Sequence, residues 1–261
     1  MARRLDHLRF DGRQPVRIVS DLHLWGDRPA TLARFTQCVE RARTEAAALL
    51  VLGDLFEYWV GDDDIGSPEV APTARALGAA TAAGLTVGFL PGNRDFLIGR
   101  RFARATGITL LADEVALEVG GFRAWLMHGD TLCTDDVGYQ RFRRITRLPG
   151  LAWVWNHTSL AWRHERIAAM RTASEQRKRS TGLQPWMDAT APAIAAAFAT
   201  AARRLPGCTT LIHGHTHRPA RHDEGAGRTR WVLPDWELDG VDVPRGGGVD
   251  VTANGVEPFA A

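Results

Sequence analysis

Lysine is almost missing from this chain. Of its 32 basic residues only one, Lys178, is lysine, and the rest are arginine. The two differ in geometry and hydration, but a GC-rich genome gives the same bias, so composition alone assigns the exception no role. Cysteine is scarce too. Cys38, Cys133 and Cys208 are odd in number and show no metal-ligand spacing, which argues against a disulfide framework or a cysteine zinc site and fits a reducing compartment. No run reaches 18 consecutive apolar residues, so no transmembrane helix is expected. Residues 1–15 have no apolar stretch and no small-residue cleavage pattern, so no signal peptide is expected either. A cytoplasmic location follows, with peripheral membrane association left open. Internal repeats and low-complexity linkers are also missing.

What remains is an ordinary globular mix, 45% apolar and 24% charged, which excludes disorder and fibrous repeats. The 261 residues suit one large α/β domain, or a domain with an insertion. A chain this long buries a core without disulfides. The net charge of +2 gives no hint of a nucleic-acid partner. Its distribution is uneven. Residues 141–182 hold ten Arg or Lys against Glu165 and Glu175, a local +8. Such a block suits phosphates, anionic lipid, nucleic acid or a merely solvated surface.

Patterning places strands at Val16–Ser20, Ala48–Leu52 and Leu85–Leu90, each a short apolar run. Helices are expected over Pro29–Ala46 and Pro72–Ala83, and a hairpin joins Leu117–Val119 to Arg123–Met127 across Gly120-Gly121. Residues 139–182 are rich in Arg and Trp and read as helices joined at 148–150. A further helix covers 188–204, and strands follow at Thr209–His213, Trp231–Leu233 and Val249–Thr252. This alternation predicts an α/β fold.

Five motifs share one design. Asp21-Leu-His23, Gly53-Asp54, Gly92-Asn93-Arg94-Asp95, His128-Gly-Asp130 and Gly214-His215-Thr-His217 each follow an apolar strand-like run. Ligands collect at the carboxyl ends of strands in α/β sheets, so five such loops can converge on one site. Imidazoles, carboxylates and an amide suit Mn²⁺, Fe²⁺ or Zn²⁺. Asp21 and His23, like His215 and His217, would share a side if the backbone stays extended. Seven candidate ligands are too many for one ion and suit two, which clamp phosphoryl transfer and generate hydroxide at neutral pH. A single Asp or His near a turn is ordinary; five in this order are not.

These motifs resemble the calcineurin-like metallophosphoesterase superfamily. The longer runs 53–64, 128–136 and 213–219 resemble one family within it, the UDP-2,3-diacylglucosamine diphosphatases of lipid A synthesis. The similarity spans about Val16 to Thr252. It implies a four-layer αββα sandwich over residues 16–261 with a helical cap inserted at about 137–185; residues 1–15 depart from the family pattern as an extension expected to be unstructured. It implies two divalent metals, most often Mn²⁺, one on Asp21, His23, Asp54 and His217, the other on Asp54, Asn93, His128 and His215, with Asp54 bridging. The implied reaction splits UDP-2,3-diacylglucosamine into UMP and 2,3-diacylglucosamine 1-phosphate by hydroxide attack on the phosphorus nearer uridine. Asn93, Arg94 and His128 would be catalytic. Asn93, Arg94, Asp136, Tyr139, Ser174, Lys178 and His215 would contact substrate. The protein would sit peripherally on the cytoplasmic face of the inner membrane, against anionic lipid and without nucleic acid. One departure stands out: Thr181 occupies a position where relatives commonly carry Lys. The alternatives are a generic phosphodiesterase or nuclease with the same metals, and a non-catalytic binding protein.

Other residues have plainer readings. Arg94 offers a bidentate phosphate grip, Asp95 orients neighbours, and Asp62–Asp64 is read as a solvated turn. His213 is read as a satisfied core histidine. Asp130 and Asp135 are read as supports for the ligands. Trp153, Trp155 and Trp162 are either core or an acyl-chain slot at a membrane interface. Arg171, Ser174, Lys178 and Thr181 share one helix face.

Overall fold

The computed structural model describes residues 5–148, 150–181, 188–241 and 243–261, with backbone alone over 173–181. Strands β2 (Val16–Val19), β3 (Ala48–Leu52), β4 (Thr86–Leu90) and β5 (Thr109–Leu110) pair in parallel, extended by antiparallel β11 (Gly247–Thr252) and β12 (Gly255–Ala260). A second six-stranded sheet has the order β1 (Asp6–Phe10), β6 (Glu114–Val119), β7 (Phe122–Met127), β8 (Thr210–His213), β10 (Thr229–Val232) and β9 (Ala220–Asp223). Within it β7, β8 and β10 run parallel.

Alternation along the strands builds the layers. Ala48, Leu50 and Leu52 of β3 turn inward with Val16 and Ile18, and meet Val115, Leu117, Ala124, Leu126 and Ile212 of the second sheet. Leu49 and Val51 turn outward onto α1 (Pro29–Glu45), α2 (Ala71–Ala82) and α3 (Arg100–Thr106), through Phe35, Val39, Leu77 and Phe102. On the opposite side Trp125, Met127 and Leu211 pack on Ile194, Phe198 and Ala201 of α7 (Ala191–Arg204). The order helix, sheet, sheet, helix is the αββα sandwich.

Helices α4 (Val137–Thr146), α5 (Leu151–Asn156) and α6 (Leu160–Thr181) follow β7. In α5 and α6, Trp155, Leu160 and Ile167 pack with Tyr58, Val60 and Trp25, and buried Arg163 donates to Val60 O at 3.0 Å and pairs with Asp63; α4 is tied down by Tyr139 and Arg143 on Asp130 and by Arg143 on Asp113. Nine of the ten exposed large apolar side chains among the described residues lie between Val137 and Met170, with Trp153 65% exposed. No described helix is long and apolar enough to cross a membrane.

Two expectations change. Residues 6–10 are no unstructured tail; they form edge strand β1, parallel to β6, and the Asp6 carboxylate accepts the Ala112 N–H at 2.7 Å. Asp62–Asp64 is no solvated turn. Asp62 caps α3 by accepting the N–H groups of Gly99, Arg101 and Phe102, because the first turn of any helix leaves such donors unmet. Asp63 pairs with Arg163, and Asp64 with His164 at 3.1 Å.

Candidate metal centre

Each of the five motifs begins within two residues of the carboxyl end of a parallel strand: β2, β3, β4, β7 and β8 in turn. Backbone bonds tie the loops together, with Asp21 N–H donating to Gly53 O (3.1 Å), His23 N–H to Asp54 O (2.9 Å) and Gly214 N–H to His128 O (2.8 Å). The backbone does not stay extended through Asp21–His23 or His215–His217. Six non-glycine residues among those described have left-handed φ, and five are Asp21, His23, Asp54, His215 and His217, with φ of 49–69°; the sixth, Ala226, sits in the β9–β10 turn. Holding such residues there costs about 1–3 kcal/mol each, and they persist where the surroundings over-determine them. The side chains nevertheless converge.

Asp21, His23 and His217 each offer a ligand atom within 4.8 Å of the others, as do Asp21, Asp54 and His128. His23 Nε2 faces His217 Nε2 at 3.3 Å, and His217 Nε2 lies 3.5 Å from Asp21 Oδ1. On the other flank Asn93 Oδ1 lies 2.9 Å from His128 Nε2 and 2.8 Å from His215 Nδ1, and His128 Nε2 is 3.7 Å from Asp54 Oδ1. All seven expected ligands therefore form one linked cluster. Asp21 Oδ1 is buried without a hydrogen-bond partner, a rare state unless something else answers its charge. One proton shared between the facing Nε2 atoms would still leave that oxygen bare. This nitrogen and oxygen donor set, without sulfur, fits divalent transition metals. The approach is so close that a Cβ on Gly92 would lie 2.1 Å from Asp54 Oδ1, and one on Gly214 would lie 2.0 Å from Asp21 Oδ2.

The electrostatics fit as well. Burial opposes charge on His128, but Asp54, Asp21 and Asp130 outweigh it and lift its pKa to about 9. Burial and that same His128 push His215 down to about 4. Burial alone would raise Asp21, yet His217, His128 and His23 hold it far below the usual carboxylate range. The cluster concentrates negative charge and stabilises cations.

Behind the ligands stand groups that sequence reasoning missed. His23 Nδ1 lies 3.1 Å from Glu57 Oε2, at ion-pair range but off the line of a hydrogen bond. His217 Nδ1 lies 3.4 Å from Asp235 Oδ2, and His128 Nδ1 2.8 Å from Leu52 O. Such partners fix which ring nitrogen faces a metal. Glu57 also accepts from Arg94 Nη1 at 2.8 Å, while Arg94 N–H donates to Asp54 Oδ1 at 3.0 Å. Glu57 lies three residues after Asp54, and its place in the family-like run 53–64 is its only signal in the sequence. Asp235 carried none beyond its place after β10.

The remaining expected residues divide. Asp95 is fully buried and accepts N–H groups from Asp54, Leu55, Phe56 and Gly92; burial and neighbouring Asp54 push its pKa up to about 7. Asp136 caps α4 by accepting Tyr139 N–H at 2.9 Å. The Tyr139 ring is 5.9 Å from that of His215, and its hydroxyl donates to Asp130, which Arg143 Nε also reaches at 2.6 Å. Asp135 is exposed. His213 is a satisfied core histidine, between Gly214 O and Arg230, with burial pushing its pKa down to about 3. The Trp group splits: Trp155 donates to Val60 O at 2.8 Å, while Trp153 and Trp162 are exposed. Ser174, Lys178 and Thr181 fall on α6, but their side chains lie outside the described residues.

Residues 14–219 match the model of the calcineurin-like phosphoesterase family. The chain is 45% identical over 221 residues to a UDP-2,3-diacylglucosamine hydrolase of Aeromonas salmonicida (strain A449), covering 84% of each chain. It is 43% identical over 235 residues to the enzyme of that name in Ralstonia nicotianae, covering 89% of this chain and 87% of that one. With the Pseudomonas putida (strain W619) enzyme of that name it is 39% identical over 249 residues, covering 94% and 98%.

Proposed function

This chain belongs to the UDP-2,3-diacylglucosamine hydrolase family of calcineurin-like phosphoesterases, and from that premise we propose that it hydrolyses the diphosphate of UDP-2,3-diacylglucosamine to UMP and 2,3-diacylglucosamine 1-phosphate in lipid A synthesis. The observation that carries the reading is the convergence of Asp21, His23, Asp54, Asn93, His128, His215 and His217 at the carboxyl ends of the strands. In this reading Asp21, His23, Asp54 and His217 hold one divalent ion, Asp54, Asn93, His128 and His215 hold the other, and Mn²⁺ is the metal. Two such ions supply a hydroxide nucleophile at neutral pH and Lewis acidity toward phosphoryl oxygens.

The chain's own residues do the rest. Arg94, braced by Glu57, offers its guanidinium to a phosphoryl oxygen as charge develops there. Tyr139 and Asp136 place the start of α4 against the His215 side. Residues 137–185 act as a cap whose exposed apolar side chains receive the acyl chains. The +8 charge of 141–182 meets anionic lipid on the cytoplasmic face of the inner membrane. Ser174 and Lys178 extend the polar contacts to the sugar phosphate.

UMP release from the UDP-lipid tests this directly. It is expected with Mn²⁺ and absent after chelation, and Asp54→Asn is expected to abolish it with loss of bound metal. No release by the Mn²⁺-loaded wild type overturns the reading. Lys178→Ala is expected to raise KM with metal content intact.

A further inference from the structure

A hollow of about 200 Å³ lies against the metal-ligand cluster, and the reading above leaves it empty of any role. His23 and His217 form one wall. Trp25 and Arg28 come from the loop after β2, Glu237 from the segment after β10, and Arg171 from α6. The walls are polar but internally neutralised. Arg28 pairs with Glu237, Arg171 with Asp27 at 2.5 Å, and Arg245 with Asp235 at 2.7 Å. Trp25 is half-buried, edge-on to Tyr58, with its ring 5.8 Å from the Arg171 guanidinium.

We propose that this hollow is the subsite for the nucleoside half of the substrate. The inference rests on the proposed diphosphate hydrolysis and adds where uridine goes. Chemistry and direction both support it. A ribose diol donates hydrogen bonds and needs carboxylates, which Glu237 and Asp235 supply. A pyrimidine has carbonyls that accept from arginine and a flat face that stacks on an indole. Paired arginines suit such a neutral polar guest, since exchanging one carboxylate contact for a ligand oxygen leaves no charge bare. The two halves of a diphosphate must leave the reacting phosphorus in different directions. Exposed Val137, Phe142 and Ile145 share α4 with Tyr139, whose ring lies against His215, whereas the hollow opens beside His23 and His217.

The test is product inhibition of the Mn²⁺-loaded protein. Trp25→Ala is expected to raise the Ki of UMP and the KM of the UDP-lipid about tenfold, the scale of losing one aromatic stack. The Ki of the other product, 2,3-diacylglucosamine 1-phosphate, is expected to hold, as are metal content and melting temperature. Trp25→Phe restores most of the UMP affinity. Glu237→Gln weakens UMP but not ribose-free inorganic phosphate. An unchanged UMP Ki in both Trp25→Ala and Glu237→Gln overturns the inference, and so does calorimetry showing no UMP binding to the wild type. UMP release by the wild type is scored separately, so failure of the hydrolysis reading is distinguishable from failure of the subsite.

Discussion

Asp95 is the residue on which the two central ligand loops hang, and removing its carboxylate is the sharpest stability test. Its Oδ2 accepts Leu55 N–H at 2.7 Å and Phe56 N–H at 3.4 Å, and its Oδ1 accepts Gly92 N–H at 3.0 Å and Asp54 N–H at 3.2 Å. The side chain is fully buried, so Asp95→Ala leaves these donors away from water. The two shorter bonds dominate. Each orphaned donor costs about 1–3 kcal/mol, which gives a loss of about 2–6 kcal/mol. That is a large share of the roughly 5–15 kcal/mol that holds a domain folded. Asp95→Asn keeps one acceptor oxygen but turns an NH₂ toward the other pair, so it falls between the two, at about 1–3 kcal/mol. Urea unfolding in chelator removes the linkage to metal binding, and an unchanged slope certifies that only stability moved. An Asp95→Ala protein within about 0.5 kcal/mol of wild type, the ordinary surface range, would refute the argument.

The carboxylates behind the ligand histidines give a second test: Glu57→Gln and Asp235→Asn are each expected to weaken metal binding about 10–100-fold in chelator competition, and unchanged affinity in both would remove their positioning role. The clasp of Arg163 on Asp63 gives a pH test. The Arg163 hydrogen bond holds the Asp63 pKa below its usual 3.8, so the clasp is present above that value and lost as pH falls through the lower folded pKa. Asp63→Asn should therefore cost about 1 kcal/mol near neutrality and progressively less as pH falls through the folded pKa, read from melting curves; a gap that stays constant as pH is lowered would contradict it. The thiols give a fourth. Burial pushes Cys38 up to about 11 and Cys133 up to about 12, and Cys208 upward too. A thiol-disulfide reagent at neutral pH should find none of the three in the native protein and all three in denaturant; rapid native labelling would show the burial to be wrong.

What could be read from sequence was what repeats along the chain. Val16–Val19 and Ala48–Leu52 are continuous buried runs, and a ligand motif ends each of them, so strand and site appear together. Edge strands lack that signal. Asp6–Phe10 alternates half-buried and exposed positions and carries His7 and Arg9 outward, so it resembles a polar tail until β6 is placed beside it. The short α3 has seven residues, and its cap comes from Asp62, far away in sequence. Glu57 and Asp235 act on rings that folding brings to them, 34 positions away in one case and 18 in the other. The left-handed backbone at Asp21, His23, Asp54, His215 and His217 was equally invisible, because nothing about Asp or His demands it. Its cause is tertiary. A strand that ends at the sheet rim must turn sharply for its side chain to reach a point shared with four other loops, and Gly92 and Gly214 leave the room for it by having no side chain where the carboxylates of Asp54 and Asp21 lie. The motif glycines and the strained ligands are thus one device: the glycines make close approach possible, and the interloop hydrogen bonds of Asp21, His23 and Gly214 hold the ligands in the strained conformation it requires.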